Sequence, residues 1–141
     1  MSRKHPTAGT PAPSKHDVLL SNVAHALRRA GFGATRNEIA LAARQDLKQT
    51  VDALINYQLV PDTLSPPDAA ILGNDSMMQK FPIDPLVQWW LTQMLSTSRP
   101  LQEKMVLFWH GHFATAYYKV RSTTYMYLQN QIFRDNALGR F

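Results

Sequence analysis

Phe108-Trp109-His110-Gly111-His112-Phe113, with Glu103 seven residues before His110, is the cluster best able to do chemistry in this sequence of 141 residues. Imidazoles bind zinc, copper, iron or nickel, and a carboxylate can complete such a site. His110 and His112 are therefore candidate ligands for a divalent metal such as zinc. Glu103, His110 and His112 together are candidates for acid–base or metal-assisted catalysis. Cysteine is absent, so catalysis here has only oxygen and imidazole to work with. The spacing limits what these residues can do. On a helix, residues two apart point about 200° away from each other, so His110 and His112 would not chelate one ion together. On a strand they would share a face, but the surrounding pattern is helical. Glu103 and His110 do share a helix face and could pair through longer-range geometry. The structural alternative makes His112 a satisfied core histidine on an apolar stripe and His110 a packing or hydrogen-bonding residue.

A second candidate is Arg28-Arg29 before Gly31-Phe32-Gly33, which would clamp an anion beside the helix start at Thr35. The competing reading places both arginines in the last turn of a helix, where they complement its dipole. The aromatics Trp89, Trp90, Trp109, Tyr117, Tyr118, Tyr125 and Tyr127 suggest a stacking platform for bases or sugars, but they fall at core spacing on helices. No Walker, Rossmann or Gly-x-Ser-x-Gly pattern occurs.

Helices must carry all of these residues. Asp17 is a plausible N-cap for a first helix, over about 17–30, with Leu20, Val23, Ala24 and Leu27 at helical spacing. Gly31 and Gly33 can supply a left-handed stop. Thr35 to Glu38 has the capping-box pattern and opens a second helix, to about 44. Asp46 caps a third, with Leu47, Val51, Leu54, Ile55 and Leu59 as its stripe, ending before Pro61. Four prolines between 60 and 82 mark a long loop or insertion. A fourth helix follows over about 84–97, capped by Asp84, with Pro85 in its first turn and Leu86, Trp89, Trp90, Gln93 and Met94 carrying the pattern. Pro100 opens a fifth, with Leu101, Met105, Phe108, His112 and Thr115 on one stripe, widened by Leu107 and Trp109. A sixth, about 121–137, carries Tyr125, Leu128, Ile132 and Phe133.

The resulting expectation is an all-α array of about six helices. Residues 1–16 read as a disordered basic leader, 17–60 as three short helices, 61–83 as a Pro-rich loop and 84–141 as three longer aromatic-rich helices of the same domain. The chain ends on Ala-Leu-Gly-Arg-Phe, which reads as truncation of a larger helical protein.

Charge is uneven, at +5 over residues 1–48, −4 over 49–98 and +4 over 99–141. Such basic blocks attract nucleic acid, yet no run of Lys/Arg exceeds a pair, so nucleic acid ranks last among the partners. The longest apolar stretch, Met105 to Trp109, is far below the roughly 20 residues of a membrane span. The N-terminus lacks the apolar region of a signal peptide, which reads as cytoplasmic.

Two stretches, residues 25–35 (His-Ala-Leu-Arg-Arg-Ala-Gly-Phe-Gly-Ala-Thr) and 99–114 (Arg-Pro-Leu-Gln-Glu-Lys-Met-Val-Leu-Phe-Trp-His-Gly-His-Phe-Ala), resemble the opening of the bacterial family known as domain of unknown function 1800 (DUF1800). Gln129-Asn130-Gln131, Arg134 and Ala137-Leu138-Gly139 also look like its continuation, so the similarity spans roughly residues 17–141. The resemblance implies a longer chain, with a motif rich in Asn, Glu and Arg downstream that would pack on this segment. It also implies export for many members, and it implies no reaction. Three functions stay open: a metal-assisted or acid–base enzyme, a non-catalytic helical interaction or scaffold module, and a nucleic-acid binder using the basic N-terminal helices.

Overall fold

A computed structural model describes residues 12–62, 65–72 and 83–139. Residues 1–11 of the expected leader, parts of the expected 61–83 loop and the last two residues lie outside the described residues. The described chain is all-α, with helices α1 (Lys15–Ala30), α2 (Arg36–Ala42), α3 (Leu47–Ile55), α4 (Asp84–Ser96), α5 (Pro100–His112), α6 (Tyr117–Val120) and α7 (Thr123–Asp135). A single 3-10 turn, Tyr57–Leu59, follows α3.

Helix starts in the first half obey local chemistry. The Thr35 hydroxyl accepts the Glu38 N–H while the Glu38 carboxylate accepts the Thr35 N–H, and Asp46 and Gln49 repeat the exchange at α3. At α1 the same box forms between Ser14 and Asp17, so Ser14 is the cap and the expected cap, Asp17, sits in the first turn. The helix thus begins at Lys15, inside the span read as leader. Its end also differs from expectation. Gly31 is extended rather than left-handed, and of these two glycines Gly33 takes the positive φ, of 135°. Gly31 sits in a close approach, where a Cβ would meet Pro100 Cβ at 3.1 Å and the Leu27 carbonyl at 3.3 Å, tight contacts that a neighbour would have to ease by a few tenths of an ångström. Nor does Asp84 cap α4. Ile83 holds that position without a side-chain bond, and Asp84 lies in the first turn.

Helix α5 is the hub, touching α1, α3, α4 and above all α7. Its buried face is Gln102, Glu103 and Val106, one step round the helix from the expected stripe. Phe108 is 54% exposed, His112 is exposed, and Thr115 lies beyond the helix end. In α7 likewise, Thr123, Asn130, Phe133 and Arg134 are buried while Tyr125, Leu128 and Ile132 face outward. An apolar-periodicity rule assigns the inner face to hydrophobic residues; here Val106 and the expected Phe133 share it with polar side chains, of which Glu103 and Arg134 bond to each other and Gln102 to a backbone carbonyl. The stretch expected as one helix over 121–137 is preceded by the short α6, which ends at Arg121 in the left-handed conformation (φ 52°).

The described part of the Pro-rich segment lies against α4, where the Ser65 carbonyl accepts from the Trp89 indole (2.9 Å) and the Gln93 amide (3.3 Å). Arg99, at the start of α5, donates through Nε (2.7 Å) and Nη2 to the Val60 carbonyl, fixing the chain after the 3-10 turn.

Candidate functional site

Glu103 is fully buried, and the arrangement of α5, α7 and α4 explains how an acid can be there. Arg134 of α7 donates Nε to Oε1 and Nη2 to Oε2, both at 2.9 Å, giving a two-pronged ion pair. The Trp90 indole of α4 adds a third bond to Oε2 at 3.2 Å. Arg134 in turn lies over the Trp89 ring, 5.6 Å from its centre. The Gln102 amide donates to the Arg134 carbonyl at 3.1 Å, and the Trp109 indole to the Ala137 carbonyl at 3.0 Å. Those carbonyls belong to the last turn of α7 and the turn after it, and that of Arg134 also accepts the Ala137 N–H at 3.4 Å. Two side chains of α5 thus cap the end of α7.

His110 lies on the same side of α5 as Glu103, but the two do not touch. Trp90 joins them: its indole N–H reaches Glu103 while its ring lies 4.5 Å from the imidazole. Phe133 meets that imidazole edge-on at 4.9 Å, and Nε2 faces the Asn130 amide nitrogen at 3.4 Å. Burial pushes the His110 pKa below its ordinary value, favouring the neutral ring. His112 has a separate setting, its ring stacked on Phe108 and edge-on to Trp109 and Phe113. The expected core histidine is therefore the exposed one, and the half-buried one is His110.

The three expected catalytic residues are not assembled. Glu103 serves Arg134 and Trp90, His110 serves Trp90, Phe133 and Asn130, and His112 stays among aromatics at the end of its own helix. The candidate metal ligands His110 and His112 share no neighbour in these contacts. Among the described residues, no three His, Cys, Asp or Glu side chains are placed to hold one metal ion. Arg28 and Arg29 are exposed in the last turn of α1, and the anion at the nearby start of α2 is the Glu38 carboxylate itself. The Thr35 N–H holds that carboxyl below its ordinary pKa, with the Thr35 hydroxyl assisting.

Sequence reasoning read Trp90 only as a packing or stacking aromatic and Asn130 and Arg134 only as part of the family resemblance, with no place in the Glu103–His110 site. The available signal was the pair Asn130 and Arg134, four apart and framing Phe133 on the face that also carries Ala137, which marks polar groups placed inward. Two openings flank the network. A groove of about 730 Å³ is bounded by Trp109, Phe113, Ile132, Phe133 and Gly139, and a cavity of about 100 Å³ lies between α4, α5 and α7. No described helix is long and apolar enough to cross a membrane.

Neither the curated proteins nor the solved structures contain a match to this chain. A family model, described as a protein of unknown function (DUF1800), matches residues 25–141, which takes in all of α2–α7 and the C-terminal end of α1. The chain belongs to the DUF1800 family.

Proposed function

We propose that this segment is a helical interaction module, in which the Trp-His-Gly-His-Phe stretch serves packing and docking rather than catalysis. The observation carrying this reading is the bidentate Glu103–Arg134 pair, which commits the carboxylate of the candidate catalytic cluster to joining α5 and α7. An exposed stripe on α7 supports it. Tyr125, Leu128 and Ile132, spaced three and four apart, are 67%, 47% and 60% exposed, and Ile132 borders the 730 Å³ groove.

The occupant we assign to the groove is an amphipathic helix from the downstream part of the longer family chains, laid in as helix-in-groove docking. Gly139, the last described residue, lines the groove, so chain leaving that point starts on its rim. The test expresses the downstream part of the reading frame separately and titrates it into this segment, following Trp109 fluorescence. Saturable binding that Ile132→Asp weakens about tenfold or more is the expected result. No binding, or binding indifferent to Ile132→Asp, overturns the reading. Elemental mass spectrometry separates it from the metal-assisted alternative: stoichiometric metal that disappears in a folded His110→Ala/His112→Ala variant would restore the enzyme.

A further inference from the structure

The cavity of about 100 Å³ between α4, α5 and α7 has walls that are fixed from outside. Trp89 is held by the Ser65 carbonyl and covered by Arg134, and Trp90 is held by Glu103. Tyr127 adds a third aromatic, edge-on to Trp89 at 5.6 Å. Aliphatic side chains such as Leu86 and Val87 fill out the wall, and His110 and Asn130 add imidazole and amide groups to it. Asn130 is 4% exposed; its amide nitrogen faces His110, while its buried Oδ1 accepts no hydrogen bond among the described residues. A buried acceptor left without a donor costs about 1–3 kcal/mol in general, so a site of this kind favours whatever supplies one.

We propose that this cavity binds a small, flat, neutral molecule that donates one N–H or O–H to Asn130. Each term has its own reason. Size follows from the volume, which is below the roughly 150 Å³ of an engineered cavity that takes benzene. Flatness follows from the aromatic walls, which favour a ring stacked or edge-on. Neutrality follows from the charges nearby, because Glu103 and Arg134 already cancel each other and leave no net charge to pair with an ion. This inference uses neither the groove nor its occupant, so it stands or falls apart from the interaction reading.

Pyrrole and furan form a matched pair of probes, being five-membered rings of similar size of which only pyrrole donates a hydrogen bond. Titration of each into the 141-residue chain, followed by NMR of the Asn130 side-chain amide and the Trp90 indole N–H, separates recognition from mere filling. Pyrrole is expected to bind about tenfold more tightly than furan, the scale of one desolvated hydrogen bond. Asn130→Ala should abolish that preference. Should that variant fail to fold, Val87→Trp serves instead: Val87 lines the cavity and is 43% exposed, so the larger ring blocks the space at little cost to folding. Loss of pyrrole binding in it supports the site. Equal affinity for the two rings, no binding of either, or pyrrole binding unaffected by Val87→Trp overturns the proposal.

Discussion

In the N-terminal cluster each helix opens with its own polar lock: Ser14 with Asp17, Thr35 with Glu38, Asp46 with Gln49. Helices α4 and α5 open on Ile83 and Arg99 with no side-chain cap at all. Their order comes from across the molecule, through Glu103, Trp90 and Gln102 bonded to partners 13 to 32 residues away. The first region spends its polar groups on exposed, local contacts three residues apart. The second uses them in the dry interface between helices, where a bond is stronger and an unmatched group more costly. The two regions should therefore respond to mutation on different scales.

The largest effect is expected at the ion pair. Glu103→Gln leaves the Arg134 guanidinium buried without its counter-charge and should lower stability by about 3–5 kcal/mol, measured by urea unfolding. Since a domain of this size has only about 5–15 kcal/mol to lose, the single variant can fall near the threshold of folding. Glu103→Leu/Arg134→Met removes both charges and should recover much of the loss, because well-packed apolar replacements of a buried pair are often neutral. A Glu103→Gln loss below about 1 kcal/mol would put the pair on the scale of a surface contact and erase the contrast between the regions.

Thr35→Ala tests the other side of the comparison. It removes both the hydroxyl acceptor for the Glu38 N–H and the hydroxyl that donates to the Glu38 carboxylate at 2.8 Å. The expected loss is about 1 kcal/mol, with circular dichroism and urea unfolding as the readout. A loss as large as that of Glu103→Gln would mean that α2 is coupled to the core far more tightly than its exposed, seven-residue helix suggests.

The same contrast explains what could be read in advance. The capping box at Thr35 and Glu38, the cap at Asp46 and the prolines at 85 and 100 are short-range signals, and the helices they mark lie where periodicity put them, to within a few residues. Inner faces were harder to read. Leu101, Met105 and Phe108 share a stripe as convincing as that of Leu86, Trp89 and Trp90, yet the first ends on the exposed Phe108 and the second starts from the buried Leu86, with the other four residues half-buried. No property of Glu103 taken alone marks it as fully buried; it becomes so only once Arg134, 31 residues later, is brought beside it. His110 and His112 were indistinguishable by type and differ because Gly111 separates them by nearly half a turn, placing one against α4 and α7 and the other on an exposed aromatic edge.

The smallest expected effect is a pH dependence that comes from His110. Half-burial lowers its pKa in the folded chain below the ordinary 6.5, so between those two values the unfolded chain binds a proton that the folded chain does not. Stability is then complete above about pH 6.5, falls as pH drops toward the folded pKa, and levels off below it. The exposed caps share this sign but act lower. The carboxyls of Asp17 and Glu38 are held below 3.8 and 4.5 by Ser14 and Thr35, so their contributions fade only under those values. Urea midpoints of wild type and His110→Gln, compared from pH 8 to pH 5, isolate the imidazole, because the caps stay ionised throughout. Glutamine keeps a hydrogen-bonding group near Asn130 and cannot titrate, so the difference between the two curves should narrow as pH falls below 6.5. Parallel curves would mean that His110 is protonated as easily in the fold as out of it. Water would then reach the ring past Trp90 and Phe133, and the second region would lack the dry interior on which the comparison with the capped helices depends.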